Sequence, residues 1–371
     1  MKVKKIGIIT ITSCLNYGNR LQNYALQETI KKMGMEVETI KKIFKKVSRR
    51  QLVCYRIKVL VRNLLHINER KGICDRERTF NKFSKKNIKY SKYWTYKNTQ
   101  KSGIEREYDV FVCGSDQIWN PDFEDTLSDL ESSTAYFAPK EKRVAYAASI
   151  GVGVLNEKYI QEYTKLLSGM KAISMREKSG ANIVKNLIGR DVPTVLDPTL
   201  LLTRDEWMKL EKKPKKQLPD RYIVTYFLGN ISKDKREYIE LVSEENEIQV
   251  IEMSSEYLWD KDIRDKDSFC FDPAEFLYVI SHSQMLLTDS FHGCVFAIIF
   301  DKPFRVFNRE GNWGDMWSRI ETLIDIIGKV NVVGTIGENL KSSLEEEIQY
   351  DRIKMERLRC ESLEYLKKVL E

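Results

Sequence analysis

Residues 4–40, KKIGIITITSCLNYGNRLQNYALQETIKKMGMEVETI, decide the fold. The β-branched opening KKIGIITIT (4–12) reads as a buried strand. A turn-forming SCLNYGNR follows. Leu21, Tyr24, Ala25, Leu26 and Ile30 then recur at helical spacing, and Gly34 closes the run. MEVETI (35–40) is a second strand. Strand, loop, helix and strand in that order begin a parallel sheet.

The alternation continues outward. YDVFVCGSDQIWNP (108–121) is a strand running into a polar loop, and strands are expected at 143–149, 171–175 and 192–198, with helices near 156–168 and after Glu177. EKKPKKQLPD (211–220), with its prolines and charges, is a surface connection. Beyond it come strands at 221–228, 248–253, 284–289 and 303–307, helices at 233–244, 273–281 and 290–300, and a charged helical tail over 337–370. The expectation is two α/β units with a cleft between them: a first domain over 1–175, a second over 176–335 and a C-terminal helix over 336–371.

A chain of 371 residues suits two domains. It has no run of about 18 apolar residues, so no transmembrane helix is expected. The N-terminus is cationic and then apolar, but the apolar part is short, holds threonines and lacks an A-x-A-like site, so it reads as a strand and not as a signal peptide. Seven scattered cysteines with no CxxC pair argue against a zinc site and a disulfide framework and suit a reducing cytoplasm. The net charge of +8 hides an asymmetry: residues 41–101 carry 20 Lys and Arg against three Asp and Glu, an excess of +17, so the rest sums to −9. Within this basic helical insertion Val53, Ile57, Leu60, Val61, Leu64 and Leu65 form an apolar stripe flanked by arginines and lysine, able to lie on an anionic membrane surface or to pack on its own domain. No nucleic-acid module is recognisable, and no P-loop or G-x-G-x-x-G indicates a nucleotide cofactor.

The unusual polar loops each follow a strand. They are Asn16-Tyr17-Gly18-Asn19, Gly114-Ser115-Asp116-Gln117, Arg176-Glu177, Asp197-Pro198 and Asp289-Ser290-Phe291-His292-Gly293. In parallel sheets these are carboxyl ends, where ligands bind. His292 stands at the start of a helix, where free N–H groups favour an anion. Ser290 can cap that helix, and Gly293 lets a ligand approach the backbone. Arg176, just past a buried strand, suits a carboxylate or phosphate. Gly114 and Ser115 are candidate ligand contacts, Asn16 and Asn19 candidate donors toward ligand, and Asp116 either a helix cap or a base. Asp197 reads as structural, and Trp119 as core or as a sugar-stacking platform.

Together NYGNRLQNYALQ, VCGSDQIWNP, ISMRE, VLDPTLLL and LLTDSFHGCVFAIIF resemble the polysaccharide pyruvyl transferase family, in the same order from about residue 5 to 310. The resemblance implies two Rossmann-like domains facing across a cleft, as in GT-B glycosyltransferases, and transfer of pyruvate from phosphoenolpyruvate to a sugar of a cell-surface polysaccharide or its lipid-linked precursor, giving a ketal. It places the family's donor-binding residues on Arg176 and on Ser290-Phe291-His292, with serine at 290 where characterised members carry arginine; the candidates to take over from that cation are Lys302, Arg305 or Arg309, or Ser290 itself with the helix N-terminus. In the resulting scheme His292 assists phosphate departure, Arg176 grips the donor and Asp116 acts toward the acceptor hydroxyl. Ser290, Phe291, Gly293, Gly114, Ser115 and Arg305 line the donor, and Asn16, Tyr17, Asn19 and Trp119 hold the sugar. No metal or further cofactor is required. The alternatives are a nucleotide-sugar glycosyltransferase of GT-B architecture and a non-catalytic glycan-binding or assembly protein. The expected location is cytoplasmic, with peripheral contact to anionic lipid through residues 41–101 and no nucleic-acid partner.

Overall fold

The computed structural model describes residues 3–12, 15–43, 71–95, 103–122, 126–255, 266–309, 317–328 and 350–371, with isolated positions between them. The first sheet consists of β1 (Lys5–Ile9), β2 (Glu36–Ile43), β3 (Tyr90–Thr95), β4 (Val110–Cys113), β5 (Arg143–Ala148) and β6 (Ala172–Met175) in the order β3-β2-β1-β4-β5-β6. Every pairing is parallel. Its helices are α1 (Tyr17–Lys32), α2 (Lys71–Asn87), α3 (Thr126–Ser133), α4 (Glu157–Leu167) and α5 (Lys178–Ile188). VFVC of β4 and RVAYAA of β5 are buried at every position, as a strand covered on both faces requires.

After α6 (Arg204–Leu210) comes a second parallel sheet of β7 (Tyr222–Phe227), β8 (Gln249–Ser254), β9 (Met285–Thr288) and β10 (Phe304–Val306), in the order β10-β9-β7-β8. Its helices are α7 (Lys233–Glu245), α8 (Lys266–Phe269), α9 (Pro273–Ser281) and α10 (Phe291–Ile299); α11 (Trp317–Ile327) and α12 (Arg352–Leu370) follow. α9 starts where it does because Asp272 and Glu275 form a capping box with Pro273 at the first helical position. α10 is buried at every residue, so its FHGCVFAII sequence needs no polar face.

Strand order reverses between β1 and β4 in one sheet and between β7 and β9 in the other, and such reversals open ligand crevices at the carboxyl ends. Hydrogen bonds fasten both. Thr10 Oγ1 donates to the Ser115 carbonyl (3.0 Å), and the Asp289 carboxylate accepts from the backbone N–H of Leu228 (2.7 Å) and Gly229 (2.9 Å). The two sheets share an apolar core in which Ile6, Val112 and Val144 join Tyr226, Leu286 and Phe296. Tyr17 at the head of α1 stacks on Phe276 (4.3 Å) and donates to the Phe271 carbonyl (3.0 Å). α12 returns to the first sheet, where Lys171 Nζ donates to the Val369 carbonyl (3.2 Å) and Lys4 Nζ to that of Leu370 (2.9 Å).

Three features depart from the sequence reading. The strand expected at 192–198 is only a bridge between Met175 and Thr194, because Pro193 and Pro198 lack the N–H a ladder needs, and the chain turns over Pro198–Leu201. Part of the basic stretch belongs to the sheet: α2 leads into β3, which pairs with β2 at its edge. The stripe from Val53 to Leu65 lies outside the described residues. α3, α6, α8 and α11 were not expected. Among the described residues no helix is long and apolar enough to cross a membrane, and no cluster of three or more His, Cys, Asp or Glu could hold a metal ion.

Candidate functional site

Asp197 ties the site together. It caps the turn at Pro198–Leu201, Oδ1 accepting from Thr199 N (3.0 Å) and Oγ1 (2.7 Å). Its Oδ2 accepts from Ser115 Oγ (2.9 Å) and Arg176 Nη1 (3.0 Å) and lies 3.7 Å from His292 Nε2. That separation is too long for a hydrogen bond. Burial alone would raise the Asp197 carboxyl, but His292, Arg176 and Thr199 hold it well below the usual range. One carboxylate of the first half thus holds an arginine of its own half and a histidine of the other.

Arg176 follows β6 directly, and its side chain is 1% exposed. Besides Asp197 it faces Asp116 (Nη2 to Oδ1, 3.6 Å) and Glu177 (Nε to Oε2, 4.0 Å), and its guanidinium lies 4.7 Å from the centre of the Phe291 ring. Burial would lower its pKa; the three carboxylates, led by Asp197, raise it instead. Arg176 Nε and Nη2 nevertheless make no hydrogen bond, and neither does His292 Nε2. Buried donors left unbonded are rare in folded proteins, and these lie around the same carboxylates.

The His292 ring packs on the first turn of α1. A Cβ on Gly18 would sit 2.2 Å from the imidazole, so only glycine lets the two helix starts approach this closely. Asp116 completes this edge. Its backbone is left-handed (φ 75°), Oδ2 accepts from Asn19 Nδ2 (3.2 Å) and Oδ1 from Gln117 N (2.9 Å), and its side chain keeps 16% exposure. Burial pushes the Asp116 carboxyl up, but Arg176 and then His292 bring it below its ordinary value. An ionised carboxylate at a water-accessible edge can orient a hydroxyl.

Two further arginines reach the site. Arg309, just past β10, donates from Nη2 to the Asp289 carbonyl (3.1 Å), and its Nε lies 3.4 Å from Asp289 Oδ2. Arg319 comes from α11, which crosses the start of α5: Thr322 Oγ1 accepts from Lys178 N (3.4 Å), Ser179 and Ser318 share a hydroxyl bond (3.2 Å), and Lys178 pairs with Asp325 (2.6 Å). The Gln117 carboxamide, turned with its oxygen toward the guanidinium, accepts from Arg319 Nη1 and from Nη2 (2.7 Å). Burial, then the charges of Arg176 and Arg309, push the Arg319 guanidinium down to about 9.

A family model for polysaccharide pyruvyl transferase matches residues 16–311, a span that contains Asn16, Asp116, Arg176, Asp197 and His292. The chain belongs to the polysaccharide pyruvyl transferase family. No curated protein matches it in sequence. Among solved structures it is similar to the UDP-GlcNAc 2-epimerase of Methanocaldococcus jannaschii in complex with UDP-GlcNAc and UDP, at 12% identity and TM-score 0.51, over 97% of this chain and 99% of that one. The S. aureus MnaA–UDP structure (12%, 0.51, 98% and 97%) and the Neisseria meningitidis UDP-GlcNAc 2-epimerase bound to UDP-GlcNAc (12%, 0.51, 99% and 100%) align equally well. These likenesses bear on the fold alone: an α/β chain of GT-B type with parallel sheets of six and four strands.

In this pyruvyl transferase family member the structure brings Arg176, Asp116, His292, Phe291 and Asn19 together. Asn16 is the N-cap of α1, its side chain accepting from Asn19 N (3.2 Å). Several expected contacts prove to be internal. Trp119 is fully buried with Nε1 on the Ser133 carbonyl (3.3 Å), so it is core and offers no face to a sugar. Tyr17 is equally buried and joins the two halves. Ser115, with its hydroxyl on Asp197 and on the Ala147 carbonyl, positions Asp197 and is closed to a ligand. Gly114 (φ 121°) has the Tyr146 carbonyl where a Cβ would be, and Gly293 has the Thr288 hydroxyl, so packing and not ligand approach demands both glycines. Ser290 is 2% exposed and caps α10, its Oγ accepting from Gly293 N (3.3 Å). Arg305 pairs in register with Leu287, which packs with Ile223 and Phe227 rather than with the cluster holding α10; the cation at the rim is Arg309 instead. Lys302 lies beyond the opposite end of α10, beside Asp301 and Arg204. Sequence reasoning took Asp197 as structural and passed over Arg319. The one available signal for the latter was Ile320, Leu323 and Ile327 at helical spacing around it.

Proposed function

We propose that this chain transfers pyruvate from phosphoenolpyruvate to two hydroxyls of one sugar, forming a cyclic ketal on a cell-surface polysaccharide or its lipid-linked precursor. The observation that carries this reading is the group of unbonded buried donors, Arg176 Nε and Nη2 with His292 Nε2, beside the ionised Asp116 where the two sheets turn their carboxyl ends to each other. Donors held ready in a site shielded from water suit a small anion that gains charge on its leaving group.

The reaction needs a proton on the methylene carbon of the enol phosphate, making it a methyl group. One sugar hydroxyl adds to the resulting cationic carbon. The C–O bond to phosphate then breaks, and the second hydroxyl closes the ketal. Of the two hydroxyl protons, one balances the methyl group and the other the released phosphate. Arg176 holds an anionic group of the donor. His292, set by Asp197 and Gly18, faces the departing phosphate as acid or as electrostatic partner. Asp116, already ionised, accepts from the incoming hydroxyl. The basic stretch at 41–101 would hold a lipid-linked acceptor near anionic lipid.

Phosphate release from phosphoenolpyruvate in the presence of candidate sugars tests this reading. Wild type should turn over, and His292→Ala should lose on the order of 100-fold or more. Stabilisation by nucleotide sugars and not by phosphoenolpyruvate, with no phosphate released, would replace it with a glycosyltransferase reading.

A further inference from the structure

Phosphoenolpyruvate carries two anionic groups, and Arg176 with His292 accounts for the cations on one side of the site only. We infer that Arg319 of α11 is the second donor-binding arginine, holding one anionic group together with Arg309 while Arg176 and His292 hold the other. This inference rests on the function proposed above and names the specificity-determining side chain of the same site.

Four observations converge on it. First, α10 opens on Ser290, whose hydroxyl serves the helix cap, so positive side chains at that edge come from other elements. Second, α11 is clamped across the first turn of α5 by Ser318, Thr322 and Asp325, which sets Arg319 beside the Arg176-Glu177 corner. Third, the Gln117 oxygen takes both terminal nitrogens of Arg319, fixing the plane of the fork next to Asp116. Fourth, Arg176 Nε and Nη2 and Arg309 Nε make no hydrogen bond, and these two arginines exert the strongest charge effects on Arg319, so three guanidinium groups lie close together with open donors among them. A dianion placed among the three would take those donors and relieve the repulsion. Arg309, with a side chain 12% exposed, stands on the water side of the group.

The test is binding of phosphoenolpyruvate and, separately, of inorganic phosphate to wild type, Arg319→Gln and Gln117→Leu, by calorimetry, with the ligand-free melting temperature of each. Arg319→Gln should weaken both ligands on the order of 10- to 100-fold, the range for a lost charge-assisted hydrogen bond. Gln117→Leu removes the acceptor that orients the fork but keeps the cation, so it should weaken both ligands by about 3- to 10-fold, less than Arg319→Gln does. Three results would overturn the assignment: Arg319→Gln binding phosphate like wild type, Gln117→Leu losing as much as Arg319→Gln, or wild type failing to bind phosphate at all. Failure of the underlying reading looks different: wild type would bind phosphate through Arg319 yet release none from phosphoenolpyruvate with any sugar.

Discussion

Arg76 and Arg176 are both buried, and they differ in what their nitrogens hold. Arg76 Nε and Nη2 donate to the Leu15 carbonyl (3.2 and 3.0 Å), and Nη1 donates to Tyr17 Oη (3.1 Å) and the Phe269 carbonyl. Rings of Tyr17, Phe80 and Phe269 surround its guanidinium at 4.5, 4.8 and 4.7 Å. Every nitrogen is engaged, by neutral acceptors and π faces, and the result is a clasp between α2, α1 and α8. Arg176 is gripped by carboxylates, yet two of its nitrogens make no hydrogen bond. Burial of a cation is common to both; Arg176, unlike Arg76, keeps open donors beside carboxylates and the histidine of the other half.

The sharpest way to break this comparison is Arg176→Met. Turnover should fall about 100- to 1,000-fold, as for loss of a preorganised donor, measured as phosphate release at equal folded fraction. Wild-type turnover in that variant would reduce Arg176 to a second clasp. Next comes Arg76→Met, which strands the Leu15 and Phe269 carbonyls: stability should drop by about 2–4 kcal/mol in denaturant unfolding, with phosphate affinity of the folded protein unchanged. Weaker anion binding there would erase the distinction. Gly18→Ala sharpens the histidine side of the site. The new methyl group must displace the imidazole or part the halves, so turnover should fall about tenfold with about 1–3 kcal/mol of overpacking.

The smallest effect is expected from acid titration. The folded pKa of Asp116 is depressed below the ordinary 3.8, so its contribution to stability is present above that value and lost as pH falls through the folded pKa. Asp116→Asn should therefore lose stability less steeply on acidification below pH about 4 than wild type does, by urea unfolding at stepped pH. Equal slopes would detach Asp116 from the charge cluster.

What the sequence disclosed follows from how local each signal is. KIGII and YIVTYF announce buried strands by composition, and the polar loops after them announce the rim, because strand and loop are neighbours in the chain. Asp197 looked like the cap of a turn, which it is; its hold on Arg176 and His292 needs partners 21 and 95 residues away. Trp119 and Tyr17 sit in loops or helix starts that a pattern cannot distinguish from a lined pocket, and only packing shows both to be sealed. Arg319 lies far along the chain from Gln117, beyond the reach of any periodicity.

The returning C-terminal helix has a consequence of its own. Because its last turn takes lysine bonds from Lys4 and Lys171, α12 rests on the first sheet, and the second sheet stands between two stretches of chain that both reach that sheet. A single cut in the 211–220 connection would therefore not free either half: the piece bearing His292 would still be moored to the piece bearing Arg176 through its own tail.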